Sequence, residues 1–441
     1  MKRLILFSTI CLVLSASLNS CKKLDDTNIN PNSPESVTPN VQLTASELSI
    51  GYTIGGDIAR YSGVLTQHIV GADRQFSVFD RYNFVNSDFD QPWQNTFLTL
   101  KNLNDLAVNS DAKGYNTYVG VANILSAYTL GTAADLWNGV PYSEALQGFD
   151  NLQPKFQSQA EIFVTVQNLL DSGIARLAMD PGVKTPSSDD VIYGGDVVRW
   201  QKLAYSLKAR FYLHQRKVDA TNIAKAEAAI LNGFSSSADD AYVYFGSTSK
   251  SANPYYQFQQ QRPGYLSFAS SNAANMMTAD NDPRLDYLID VTNDDLGSFY
   301  NQPSSGIQLI TYAELLFIQA EIDFIKGDKS SAAQHHNDAS IESVTAITGG
   351  ALTSAWVTAK ASETSSSITL ETIMTQKYLA TFLNPETFSD WRRTGFPVLT
   401  PNAGAVTLEI PRRFLYAQTE VERNSNTPSG TQITDKVDWD K

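Results

Sequence analysis

Apolar residues recur at intervals of three and four through most of this chain, and that spacing predicts amphipathic helices over 41–70, 92–109, 115–135, 157–179, 196–217, 221–231, 311–326, 329–347, 368–383 and 385–392. Two stretches break the pattern. From Lys22 to Asn40 the text is KKLDDTNINPNSPESVTPN, polar and Pro/Asn-rich, which predicts an extended tether. Between 233 and 310 Gly, Ser, Asn, Pro and Tyr dominate, which predicts long loops with a few short strands. The expected fold class is therefore mostly α, with one loop-rich portion. Within it, Ala320, Gly327, Ala332 and Ala339 fall where a tetratricopeptide-like pair of helices, Tyr312 to Lys326 and Lys329 to Thr345, would need small residues to cross closely. A generic helical hairpin uses small residues in the same way. A second candidate pair begins at Trp200, with Leu203, Ala204 and Leu207 at the matching offsets.

The first residues follow another logic. Lys2 and Arg3 precede an apolar run from Leu4 to Leu14 that is too short to cross a bilayer, the pattern of a secretory signal. It closes on Leu18-Asn19-Ser20-Cys21, which resembles the lipobox of bacterial lipoproteins. A small residue before the cysteine suits a tight peptidase pocket, and only a thiol takes up a diacylglyceryl group as a thioether. Cys21 is the expected lipidation site. The chain then divides into a signal peptide (1–20), a lipidated tether (21–40) and a helical domain (41–441).

Composition narrows the function classes. Of two cysteines, Cys11 lies inside the signal, so the mature chain keeps Cys21 alone and has no disulfide, cysteine nucleophile or thiolate zinc site. A 42% hydrophobic, 11% aromatic content is that of a globular protein. A net charge of −13 without basic clusters argues against nucleic acid and against anionic lipid as partners. With no second apolar run of spanning length, membrane attachment is expected through the acyl chains.

Catalytic and metal signals are weak. His68, His214, His335 and His336 show no metal spacing, and adjacent histidines on a helix point about 100° apart. His335 and His336 are expected at the surface. No phosphate loop or nucleophile elbow is present. No cofactor or metal is called for. Asp390, beside Trp391, Arg392 and Arg393, is the most suggestive carboxylate; an ion pair of either arginine with Asp390 or Glu386 is the structural expectation. Asp280 or Asp282 is expected to cap a helix before Leu285. Trp93, Trp200, Trp356 and Trp391 are expected in packing. Aromatic residues stranded among polar ones are the better signal, since a sugar ring stacks its C–H face on Tyr or Trp while amides and arginines meet its hydroxyls. They occur around Arg74, Phe76, Tyr82 and Asn83, and around Tyr255, Tyr256, Arg262 and Tyr265. These eight residues are the candidate ligand contacts; peptide ligands use similar surfaces.

Several further stretches carry a family resemblance. They are Tyr193-Gly-Gly-Asp196 running into Arg199-Trp200 and Ser206-Leu-Lys-Ala-Arg210, then Thr311-Tyr-Ala-Glu314 through Ala320-Glu321. Gln376-Lys377-Tyr378, Phe388-Ser-Asp390-Trp391-Arg392-Arg393-Thr394-Gly395 and Ile410-Pro411-Arg412-Arg413-Phe414 complete the set. Together they resemble the SusD/RagB family of nutrient-binding lipoproteins of Bacteroidetes. Tyr205 departs from the Asn usual in that run, and the length of 441 residues suggests a shorter branch. The resemblance implies a tetratricopeptide-like scaffold with a loop-rich, ligand-binding portion. It implies a non-catalytic, cell-surface lipoprotein of the outer membrane that binds an oligosaccharide or peptide and passes it to a TonB-dependent SusC-like transporter. It also implies that ligands are met by loops near the two aromatic stretches. The rival readings are a glycoside hydrolase, which needs two carboxylates about 5–9 Å apart, and a pure protein-interaction lipoprotein.

Overall fold

The computed structural model describes residues 37–441; Cys21, the signal sequence and the tether as far as Ser36 lie outside them. Helix α1 (Pro39–Thr53) starts with proline in its first turn, where the missing N–H leaves no bond unmade. A π-helical turn, Ile54–Ile58, joins it to α2 (Ala59–Leu65). The helix expected over 41–70 is thus interrupted in its middle and ends early, because Gly55-Gly56 cannot hold the α ladder and Gln67 turns into the left-handed region at φ 59°.

The scaffold is a succession of antiparallel hairpins. Helices α3 (Asp90–Asp111), α4 (Asn116–Trp137) and α5 (Gln159–Leu177) pack in chain order. Buried residues cover almost every face of α4, which places it at the centre. Its crossing with α5 is close because Gly120 and Gly173 meet there: a Cβ on Gly120 would lie 2.7 Å from Leu177, and one on Gly173 would lie 2.7 Å from Ile124. Ser158 and Glu161 form a capping box that starts α5, and Asp196 caps α6 (Val197–His214), which folds back on α7 (Asn222–Ile230). Trp200 of α6, like Trp93, Trp356 and Trp391, is buried.

After the loop-rich portion come α9 (Tyr312–Lys326) and α10 (Lys329–Thr348), then α11 (Leu370–Ala380) and α12 (Glu386–Thr394); the intervening α8 (Pro254–Gln261) belongs to the loop-rich portion. Helix α9 ends at Gly327, φ 85°, and Ala320, Ala332 and Ala339 pack with Phe317, Ile373 and Met374 in one buried cluster. The tetratricopeptide-like hairpin expected from the small-residue spacing is what the fold contains.

Four two-stranded antiparallel pairs fasten the loops: β1 (Val70–Gly71) with β5 (Leu266–Ser267), β2 (Val140–Pro141) with β3 (Phe156–Gln157), β4 (Ala241–Val243) with β8 (Ile307–Ile310), and β6 (Ile289–Asp290) with β7 (Asp295–Leu296). The β4–β8 pair, with Val243 opposite Ile307, clasps the base of the loop-rich excursion. That excursion holds helices as well as strands, namely α8, Asn272–Ala279 and Leu285–Leu288. Asn253 caps α8 by accepting from the N–H groups of Tyr255 and Tyr256, and Ser271 accepts from that of Ala274.

Two local expectations need correction. His336 is fully buried, edge-on to Phe317 with ring centroids 6.1 Å apart, because α10 is covered by α9 on one side and by Ser354–Lys360 on the other; His335 is part-exposed and lies 2.6 Å from Asp323. Asp282 caps no helix; its carboxylate holds the buried Arg284 at 2.6 Å, while Asp280 pairs with Lys360.

Where α4, α6, α9, α11 and α12 converge, the core is ionic. Glu314 accepts two 2.7 Å bonds from Arg210, Lys377 meets Asp390 at 2.7 Å, and Arg393 bridges Asp390 and Glu321. The pairing of Arg393 with Asp390 is the one expected from sequence. His214 lies between Asp135, 3.0 Å from Nδ1, and Glu386, 2.8 Å from Nε2. Burial opposes charge on this ring, but the two carboxylates outweigh it and raise its pKa from 6.5 to about 9. The same three residues are close enough to suggest a metal site, yet each ring nitrogen faces a different carboxylate, and Arg210 and Lys377 already supply cations beside Glu386.

Candidate ligand-binding cleft

The break in the first long helix is where a cleft opens. Gly55 is needed for close approach: a Cβ there would stand 2.8 Å from both Ile307 Cδ1 and Pro254 Cγ, so the loop-rich portion presses directly on the backbone. Gly56 leaves the helix at φ −87°, ψ −132°, a conformation that a side chain disfavours. This break presents Asp57 and Arg60 together, and Arg60 Nη2 donates to Asp57 Oδ1 at 2.7 Å. Opposite stand Pro254, Gln257, Phe258 and Gln261 of α8, followed by Arg262; Gln91, Pro92 and Asn95 of α3's first turns form a third wall. The cleft so enclosed has a volume of about 280 Å³ and is completed by Tyr52, Thr53 and Gly56.

Its chemistry is mixed in the way a polyhydroxylated ring needs. Tyr52 is the half-buried aromatic of the wall, Phe258, Pro92 and Pro254 are buried and reach it only by their edges, and four side-chain amides supply paired donors and acceptors. The guanidinium carbons of Arg60 and Arg262 lie 4.4 Å and 5.6 Å from the Phe258 ring centroid. Tyr52 donates to the Ala252 carbonyl at 3.2 Å and packs edge-on against Phe245, which fixes its ring. Asp57 is the single carboxylate on the wall.

Of the eight ligand contacts expected from sequence, Arg262 alone lines this cleft. Phe76, Tyr82 and Tyr255 are core residues, 2%, 1% and 6% exposed. Phe76 packs on Phe258 with centroids 5.3 Å apart, Tyr82 accepts at 3.0 Å from the N–H of Asn402, and Tyr255 donates at 2.8 Å to the Leu383 carbonyl. Arg74 and Asn83 are exposed, and Tyr256 and Tyr265 are half-buried. The two aromatic stretches are nonetheless brought together, since β1 pairs with β5 and the Ala72 N–H donates to the Tyr265 carbonyl at 2.9 Å. Gln257 and Phe258 of the wall lie within the second aromatic stretch without being among the eight, and Asp57, Arg60, Gln91, Asn95 and Gln261 were missed. The one local signal for them is the Gly55-Gly56 pair inside an otherwise continuous helical pattern.

The sequence model of a family described as "Starch-binding associating with outer membrane" matches residues 31–308 and 294–417, nearly the whole described chain. The chain belongs to the SusD-like family. Solved structures agree on the fold. A chitin-binding protein superposes with a TM-score of 0.77 at 24% identity, over 92% of this chain and 100% of that one. A SusD/RagB family protein from Bacteroides thetaiotaomicron gives 0.74 at 23% identity, over 92% and 99% of the two chains. A chitin-binding SusD homolog from Flavobacterium johnsoniae gives 0.73 at 19%, over 91% and 98%. No curated protein matches the sequence. At these identities the solved structures establish the SusD-like fold; among the described residues no helix is long and apolar enough to cross a membrane.

Proposed function

We propose that this SusD-like chain is a surface-exposed outer-membrane lipoprotein, anchored through Cys21, that binds an oligomeric glycan in the cleft at the helix break and hands it to a TonB-dependent SusC-like transporter. The observation that carries this reading is the cleft wall: the half-buried Tyr52 and the edges of Phe258 and two prolines set among the amides of Gln91, Asn95, Gln257 and Gln261, on the scaffold of a family described as starch-binding. Two of the solved structures it resembles are named as chitin-binding, which favours sugar over peptide as the ligand class. A hydrolase needs two facing carboxylates, and this wall offers Asp57, already paired with Arg60. Arg262 meets the ligand directly, while Phe76 acts from beneath by packing on Phe258, and Tyr255 by tying the cleft's helix α8 to the Leu383 carbonyl.

Affinity electrophoresis and calorimetry of the full chain against glycans and peptides test the site. Asn95→Ala and Gln257→Ala each remove hydrogen bonds to the ligand and weaken glycan binding roughly fivefold to tenfold. Binding by the wild-type chain that neither substitution alters would remove the cleft from the mechanism. The anchor is tested by palmitate labelling, which Cys21→Ala abolishes, and the partner by recovery of a transporter barrel with the chain from outer-membrane extracts.

A further inference from the structure

The charges on the cleft wall do not balance. Arg60 has one partner, Asp57, bonded through Nη2 alone, and its Nε is buried with no hydrogen-bond partner. Arg262 has no carboxylate within 4.0 Å among the described residues, and its side chain donates no hydrogen bond there. One carboxylate faces two guanidiniums, so the wall carries an excess positive charge in a chain whose net charge is −13. Phe258 lies against the Arg60 guanidinium and 5.6 Å from that of Arg262, which keeps both charges at one end of the cleft. A neutral ring laid over Arg262 returns only hydroxyl acceptors in place of the water it displaces, whereas an anionic group also neutralises the charge, with two parallel bonds.

We infer that the cleft selects acidic glycans, whose sugar carboxylate or sulfate is held by Arg262 with the terminal Nη donors of Arg60 that Asp57 leaves free. This inference rests on the reading of the cleft as a glycan site. The uncompensated guanidinium supplies specificity as a difference, holding the anion by charge and hydrogen bonds and its neutral isostere by hydrogen bonds alone. Attraction at this one point also offsets the repulsion that the acidic surface exerts on any polyanion approaching it.

The test is calorimetry on the full chain with oligogalacturonides, with their methyl esters, which keep the sugar and remove the charge, with sulfated galactan oligomers, and with neutral starch, chitin and xylan oligomers. The acidic form binds at least about tenfold more tightly than its ester, and that margin narrows between about 20 mM and about 300 mM salt. Arg262→Gln abolishes the margin while leaving the thermal transition in place, since the residue is exposed. Preference for the sulfated oligomers over the uronic ones identifies sulfate as the anion and sustains the inference. Neutral oligomers bound as tightly as acidic ones, with Arg262→Gln unaltered, would overturn it and leave the glycan reading standing. Failure of every glycan, acidic or neutral, would overturn both.

Discussion

Raising the pH removes a cation from the centre of this scaffold, and the loss can be worked from the geometry. His214 is buried on α6 between Asp135 and Glu386, and its pKa is raised from the ordinary 6.5 to about 9. The folded chain therefore holds this proton through a range in which the unfolded chain has released it. The contribution to stability is fully present below about pH 6.5 and disappears as the pH passes through about 9. At about 1.4 kcal/mol per pKa unit the loss is on the order of 3 kcal/mol. Urea unfolding from pH 6 to pH 10, followed by tryptophan fluorescence, reads it directly, because Trp439 lies beside the His214 ring and donates to Asp135 Oδ1 at 2.8 Å. His214→Gln is the control. It destabilises the chain at pH 6 by about 3–5 kcal/mol, since both carboxylates stay buried without their cation, and it flattens the alkaline slope. Groups remote from the ring titrate in both proteins alike, so the difference between the two slopes isolates the ring together with its carboxylate partners. Equal slopes in wild type and variant would falsify the imidazolium assignment.

On the acid side the sign reverses. Burial lowers His68 to about 3 and His336 to about 4, so the unfolded chain binds protons that the folded one refuses; stability falls as pH drops below about 6.5, and imidazole NMR at pH 5 shows both rings neutral. Arg210→Met strands Glu314, while Glu386 keeps His214 and Lys377, and costs about 3–5 kcal/mol in urea unfolding; the paired change Arg210→Met with Glu314→Leu costs less than the single one. Gly55→Ala places a methyl 2.8 Å from Ile307 and Pro254. It lowers stability by about 1–3 kcal/mol and weakens glycan binding, because the α8 wall must retreat from the helix break; an unchanged thermal midpoint would refute the close approach.

Most of the scaffold was legible in the linear text because helices are local. The 3.6-residue spacing, Ser158 with Glu161, Asp196, Thr311 and Gly327 mark starts and stops through bonds that reach three or four residues. The small residues of the α9–α10 hairpin were legible for the same reason. Polar aromatic stretches misled because exposure is not a local property. Phe76, Tyr82 and Tyr255 lie in polar neighbourhoods, yet Phe76 packs across on Phe258 where β1 meets β5, and Tyr82 and Tyr255 are buried against Asn402 and Leu383, far away in sequence.

By itself, then, the sequence determined most of the helices, the ionic residues available for the core and the family to which the chain belongs. Tertiary structure alone decided which acid answers which base, so that His214 meets Asp135 from α4 and Glu386 from α12. It alone made the cleft, whose walls come from Asp57, Asn95 and Gln257. Side chains that far apart along the chain become neighbours only when the helix breaks at Gly56 and the loop-rich portion closes on Gly55. Periodicity records what each residue does to its own turn of backbone, whereas a binding site is the sum of pairings between distant turns.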